Sequence, residues 1–185
     1  MTAATTNIPG YVVGTWNIDP VHSEVAFTVR HLMVSKIRGK FAEFTGTIVT
    51  AEDVLDSRAD GEVVMASIDT GTKIRDDDLR SSNFFDIATH PKMTFTSTGL
   101  RPAGANFLLD GDLTIRGVTR RVTFNLEFGG FGGDPYGGTR AGFSASIEIN
   151  RTDFGVSANA VLDTGGVMIG EEVTISLEIE AILNK

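Results

Sequence analysis

Between Val25 and His31, the residues Val25, Phe27, Val29 and His31 take every second position, with Ala26, Thr28 and Arg30 between them. A period of two puts alternate side chains on opposite faces of a strand, so this stretch has one apolar face. Trp16, Ile18 and a turn at Asp19-Pro20 lead into it. The same pattern returns to the end of the chain. Lys92–Thr98 carries Met93 and Phe95 in one phase, and Asn106–Arg116 carries Phe107, Leu109, Leu113 and Ile115. Val118–Phe128 carries Val122, Phe124, Leu126 and Phe128. Thr139–Asn150 has Phe143, Ala145, Ile147 and Ile149, and Glu172–Leu183 has Val173, Ile175, Leu177 and Ile179. Two segments are less regular. Gly39–Ala51 changes phase between Phe41 and Phe44, which predicts a bulge near Glu43. Glu62–Asp69 follows a turn signal at Asp60-Gly61 and is apolar in both phases, which predicts a strand covered on two sides.

The segment 70–91 interrupts the strands. Thr72 or Asp76 is placed to cap a short helix running through Asp77, Asp78, Leu79 and Arg80, within a helical insert near residues 73–87. Phe84 and Phe85 need burial, most simply as a lid over one end of the strands. Gly129–Gly138 holds six glycines and reads as a flexible hairpin loop. All five prolines fall in the tail or in expected turns. One short helix cannot supply parallel crossovers, so the sheet should be antiparallel. About eight such strands predict an all-β fold, a barrel or a sandwich. Closure into a barrel removes exposed edges and leaves room for one small ligand.

The size fits one domain: a loose tail over residues 1–10 and a barrel over 11–185. The net charge of −8 argues against a nucleic-acid partner, which needs a basic face. With no cysteine, thiolate chemistry and sulfur-ligated metal are excluded. The first residues show neither the basic nor the apolar stretch of an export signal, which sets the expectation of a cytoplasmic location.

Several motifs in fixed order resemble a known family. W-x-I-D-x-x-H-S-x-V-x-F-x-V-x-H runs from Trp16 to His31, and S-I-D-T from Ser67 to Thr70. R-D-x-x-L-x-S-x-x-F-F-D runs from Arg75 to Asp86, followed by P-x-M-x-F from Pro91 to Phe95. G-D-L-T-I-x-G-V-T runs from Gly111, I-N-R-x-D-F-G from Ile149 and G-E-E-V-x-I from Gly170. The ordered set resembles the YceI-like, polyisoprenoid-binding family over nearly everything after Gly10. The resemblance implies an eight-stranded, antiparallel, lipocalin-like barrel. It also implies binding, transport or storage of an amphiphilic lipid: a polyisoprenoid, an isoprenoid quinone or a fatty-acyl derivative. Asp78 and Asn83 depart from the family's usual His and Asp in the lid, so head-group preference is not carried over. Many relatives are exported to the periplasm, and that is not carried over either.

Under this reading the tunnel wall comprises Val25, Phe27, Val29, Met65, Phe84, Met93, Phe95, Leu109, Leu113, Phe124, Phe143 and Ile147. The alternative is a core filled by the same side chains. His31 ends its strand in phase with the wall and could hydrogen-bond a head group; a bonded core histidine is the alternative. Arg38, in the cluster Lys36, Arg38 and Lys40, and Arg75 at the lid could offset an anionic head group. Catalytic residues are not expected. His22 and Ser23 are sequence neighbours and point apart on a strand. Asp76-Asp77-Asp78 lacks the alternating ligands of a calcium loop. The glycine loop precedes no helix, which argues against a nucleotide site. No metal or cofactor is therefore expected. The remaining alternatives are an enzyme acting on a bound isoprenoid's head group and a filled-core interaction barrel. Broad barrel faces would allow a homodimer, and a lipid ligand implies transient membrane contact.

Overall fold

The computed structural model describes residues 7–159 and 168–185. Its strands are β1 (Gly14–Ile18), β2 (Glu24–His31), β3 (Ser35–Phe41), β4 (Phe44–Thr50), β5 (Arg58–Val64) and β6 (Ile68–Asp69). They continue with β7 (Lys92–Ala103), β8 (Asn106–Ile115), β9 (Val118–Gly133), β10 (Thr139–Asn150) and β11 (Ile169–Leu183). One α-helix, α1 (Lys73–Arg80), lies between β6 and β7.

Every pairing is antiparallel. The order β1-β4-β5-β7-β8-β9-β10-β11 returns to β1, because β1 pairs with both β4 and β11. This closes an eight-stranded barrel with no free seam. The long β11 makes that closure and more: Ala181–Leu183 face β1, while Ile169–Glu178 face β2. β2 carries β3, and β3 carries β6, as an extension over one end of the barrel.

The turn expected at Asp19-Pro20 divides β1 from β2. Two expected strands are interrupted: Ala42-Glu43 divides β3 from β4, where the phase change placed a bulge. The segment expected over Glu62–Asp69 is not one strand. A single 3-10 turn at Met65–Ser67 breaks it, and this rotation lets Val63, Met65 and Ile68 all be buried despite their mixed phases. Asp60-Gly61 is not a turn but lies inside β5, paired with β4 and β7. The glycine loop is shorter than expected. Gly129–Gly133 continue β9, and the turn proper spans 134–138, where Asp134 Oδ1 accepts from the N–H groups of Tyr136 and Gly138. Pro102 is in a strand after all. The β5 ladder on β7 ends at Thr96, so a residue without an N–H is tolerated at Pro102. In the N-terminal tail, residues 1–6 lie outside the described residues.

α1 begins after Thr72, whose hydroxyl makes no cap bond. Asp76 is not a cap either. It is buried in the first turn and accepts from the N–H and hydroxyl of Thr70. Phe84 is buried and Phe85 packs against the core, as a lid requires.

Two features hold the bends. Gly39 gives Phe27 its place: a Cβ there would lie 2.3 Å from the ring's Cζ. Gly39→Ala is expected to cost about 1–3 kcal/mol by overpacking, read by urea unfolding. At the β1–β2 bend, buried Asp19 accepts from His22 Nδ1 (2.7 Å), Arg140 Nη1 (2.8 Å) and the Val21 N–H (3.0 Å). The bonds from His22 and Arg140 lower its pKa from the ordinary 3.8 to about 2. A depressed carboxylate stabilises the fold fully above its unfolded value, and that stability is lost as pH falls toward the folded one. Stability is therefore expected to drop between about pH 4 and pH 2, with a shallower slope in Asp19→Asn. Chemical denaturation at a series of pH values checks this; an unchanged slope would contradict it.

Candidate functional site

The interior is hollow. A cavity of about 650 Å³ occupies the end capped by α1, the β2–β3 extension and the 3-10 turn Arg151–Phe154. A narrower cavity of about 160 Å³ lies deeper in the barrel. Val25, Met93 and Ile175 line both, so the two adjoin at these side chains. The larger falls within the roughly 300–1,000 Å³ of typical ligand sites. The far end is shut by packed rings. Phe128 lies 5.1 Å from Phe107 and 5.3 Å from Phe143, and Trp16 lies 5.6 Å from Phe131, centroid to centroid.

The strands supply this wall through alternation. On β2, Val25, Phe27, Val29 and His31 face inward and all line the wide cavity. Met65, Phe84 and Met93 join them there. Phe95, Leu109, Leu113, Phe124 and Phe143 line the narrow cavity with Val25 and Met93. Ile147 lines neither: it packs against the core beside its register partner Ile175, which takes the cavity-facing place. Missed wall residues include Ile37, Ile115, Ile149, Val173 and Ile175. The β11 pair was visible as alternation, but which strands flank the cavity depends on barrel order.

In the wide cavity the polar side chains sit at the capped end; Arg58, Asp60 and Glu62 of β5 border the narrow cavity, whose exposed wall is almost wholly apolar. Arg75 lines the wide cavity; its Nε donates to Thr70 Oγ1 (2.7 Å), and its Nη2 donates to Thr70 O (2.8 Å) and Thr72 Oγ1 (3.3 Å). No carboxylate bonds it directly among the described residues. His31 lines the same cavity without a side-chain hydrogen bond among the described residues. Arg38 does not belong here. It shares the outward phase of β3 with Lys36 and Lys40, opposite Thr28, and is exposed on the barrel's outer face. The two lid departures touch each other: Asn83 Nδ2 donates to Asp78 Oδ1 (3.4 Å), and Asp78 lines the cavity.

Arg151 is the residue the sequence reading passed over. It is 6% exposed, lines the wide cavity, and has no ion pair among the described residues. Backbone carbonyls hold it instead. Nε donates to Gly170 O (2.9 Å), Nη1 to Val156 O (2.7 Å) and Ala158 O (3.0 Å), and Nη2 to Ile169 O (3.4 Å). Four of the five guanidinium N–H groups are thus used, leaving one on Nη2 without a partner among the described residues. Burial lowers its pKa, and the charge of Glu171 partly offsets this. The signal was present: an arginine between Ile149 and Phe154 at the end of an apolar strand face.

A different cluster sits at the β1–β2 bend. Asp19, His22 and Glu180 offer ligand atoms within 4.8 Å of one another. Arg140 Nη1 already bridges Asp19 and Glu180, and its Nε donates to Asp134, so the carboxylates are neutralised by protein. Ser23 bonds to Glu180 backbone, not to His22, so no nucleophile–base pair forms there.

Chemically, the site can take a long apolar chain inward and a polar or anionic group at the Arg75–Arg151 end. The comparisons agree with the architecture. The YceI-like domain family matches residues 16–181. A UPF0312 protein of Staphylococcus epidermidis is 38% identical over 167 residues, covering 89% of this chain and 95% of the relative. One from Staphylococcus aureus strain MSSA476 is 34% identical with the same coverage. The crystal structure of BcnA from Burkholderia cenocepacia is similar at a TM-score of 0.78 and 25% identity, over 88% of this chain and 98% of that one. A polyisoprenoid binding domain from Saccharophagus degradans shares the fold at a TM-score of 0.69 and 16% identity, over 94% of this chain and all of that one. By the span of the family match and the identity of these relatives, the chain belongs to the YceI-like family.

Proposed function

We propose that this protein binds and carries an amphiphilic long-chain lipid, without chemistry. The chain lies along the two cavities, and the head group sits near Arg75, Arg151 and His31. The observation that carries this is a wide cavity with Arg75, Arg151 and His31 at its capped end, adjoining at Val25, Met93 and Ile175 a narrow cavity whose exposed wall is almost wholly apolar. A solid core would leave no such space. The polyisoprenoid-binding description of one structural neighbour supports a ligand with a prenyl tail; a quinone or fatty-acyl tail suits the same wall. Against head-group catalysis, no hydrogen bond joins His31 to Asp78, the acid lining the wide cavity.

The two arginines set the head-group preference. Among the described residues, Arg151 is a buried cation bonded to backbone carbonyls and to no carboxylate, and Arg75 is bonded only to threonine oxygens. A phosphate or carboxylate there would gain charge-assisted hydrogen bonds, which are the stronger kind. Arg75→Ala is expected to weaken an anionic lipid about tenfold, one charge-assisted bond being worth roughly 1.5–3 kcal/mol before solvent screening. A neutral lipid of the same tail should be little affected, and isothermal titration of both checks this.

The reading itself is tested on protein purified from its own host. Denaturation and mass spectrometry of the extract should release one class of long-chain lipid in near-stoichiometric amount. No extracted lipid, together with no uptake of added prenyl or acyl chains, would overturn it.

A further inference from the structure

The mouth of the wide cavity is surrounded by apolar side chains that face water. Leu32, Met33 and Val34, at the β2–β3 turn, are 38%, 54% and 80% exposed; Ile74 on α1 is 83% exposed and Met168 is 38% exposed. These are five of the eight exposed large hydrophobics among the described residues. They are neighbours: Leu32 N–H donates to Met168 O (2.8 Å), and Ile74 and Met168 line the wide cavity.

The turn is built against local preference. Val34 N–H donates to His31 O, and Leu32 and Met33 between them have φ of +52° and +61°. Two consecutive left-handed residues make the turn type that favours Asn-Gly. Leucine and methionine are strained there, and in exchange the tip presents bulky apolar groups.

Beside the tip runs a basic stripe. Arg30 on β2 and Lys36, Arg38 and Lys40 on β3 are exposed on the outer face, with Arg30 opposite Lys36 in register. None of the four has an ion pair or side-chain hydrogen bond among the described residues. By contrast, Lys73, Arg80, Lys92, Arg101, Arg121 and Arg140 are all paired with acids. Acids border the stripe without bonding it: Glu24 ends the same outward face of β2, two residues from Lys40's partner Ala26 and opposite Glu178 of β11. Asp69 lies opposite Lys40 but its Oδ1 accepts from the Gly71 N–H, and Glu171 and Glu172 lie in the irregular stretch of β11 across from Arg30. On α1, Asp77 is held by Lys73 and Arg80.

An apolar tip flanked by free cations matches the surface of an anionic bilayer, where apolar groups enter the interface and cations meet head groups. The chain's net charge of −8 would repel such a surface elsewhere, so the clustering of four cations beside an apolar tip favours this face. We propose that the β2–β3 tip and its basic stripe dock the barrel, mouth first, on an anionic lipid bilayer. Docking in this pose lets a lipid pass between bilayer and cavity without crossing water. Its purpose rests on the carrier reading, but its test does not.

The test is co-sedimentation with vesicles of phosphatidylcholine alone or mixed with phosphatidylglycerol. The parent protein should bind the mixed vesicles and not the neutral ones, and added salt should release it. Lys36→Glu with Arg38→Glu should reduce binding at least tenfold. Met33→Asn should reduce it several-fold while leaving the melting temperature equal or higher, because asparagine tolerates the left-handed backbone. Equal binding to neutral vesicles, no binding to mixed ones, or full binding by both variants would overturn the proposal. So would a parent dimer that Met33→Asn converts to a monomer without any vesicle binding, since the patch would then be a protein interface. Lipid extraction on the same samples separates the two readings. Protein that carries lipid but ignores vesicles refutes docking alone; protein that docks but never carries lipid refutes the carrier alone.

Discussion

Ile175→Trp is expected to weaken binding of a long-chain lipid roughly a hundredfold while sparing short-chain ligands. Ile175 stands with Val25 and Met93 where the wide and narrow cavities meet. An indole there would close the way to Phe95, Leu109 and Phe124. Each methylene removed from water is worth about 0.8 kcal/mol, so excluding about four of them costs roughly 3 kcal/mol. That corresponds to about two orders of magnitude in affinity. Overpacking at a filled site costs about 1–3 kcal/mol, and the empty space beside Ile175 should hold the cost near the lower figure. The check is a titration of delipidated protein with acyl or prenyl chains of increasing length. Affinity should rise with length in the parent and level off early in the variant. Parallel length dependence in the two proteins would show that the tail does not use the inner cavity. The loss should shrink when lipid is delivered from vesicles, because a tail leaving a bilayer is already dry and gains little on transfer.

A large effect on stability is expected from Trp16→Ala. Trp16 is fully buried on β1, the strand that pairs with both β4 and β11 and so closes the barrel. Its ring packs near Phe131, and its Nε1 donates to Thr50 Oγ1 at 2.8 Å. Thr50 is itself a junction. Its hydroxyl also accepts from the Gly14 N–H (3.0 Å) and donates to Val12 O (2.7 Å), tying the entry of the chain to β4. Truncating a buried tryptophan costs about 3–5 kcal/mol, a large share of the roughly 5–15 kcal/mol that holds a domain folded. Thr50→Val leaves the Trp16 Nε1–H and the Gly14 N–H without this acceptor, at about 1–3 kcal/mol for each donor, so its cost should overlap that of the tryptophan. Urea unfolding of both variants checks this. A Trp16→Ala loss well below about 3 kcal/mol would mean that the seam does not depend on this ring.

Alternation made the strands and their inward faces legible in the sequence. Val25, Phe27 and Val29 line the cavity because period two is a local property that survives folding. Barrel order was not legible, since it depends on which distant strands pair. That is why Ile175 was read as an ordinary strand residue and turned out to be where the cavities meet. Arg38 was misplaced for a related reason. Lys36, Arg38 and Lys40 looked like a local cluster, and their shared spacing of two puts them together, but on the face opposite His31. Glycine misled twice. Gly61 and Gly129–Gly133 suggested turns, yet all lie in strands. Arg151 escaped because backbone carbonyls, not acids, receive its hydrogen bonds, so its place at the end of an apolar strand face was its one mark in the sequence.

The most direct measurement is an experimental electron-density map of protein purified from its own host without delipidation. The account predicts continuous, elongated density from the Arg75–Arg151 end, past Val25, Met93 and Ile175, toward Phe124. An interior in which those side chains close upon one another, with no foreign density along that path, would contradict it.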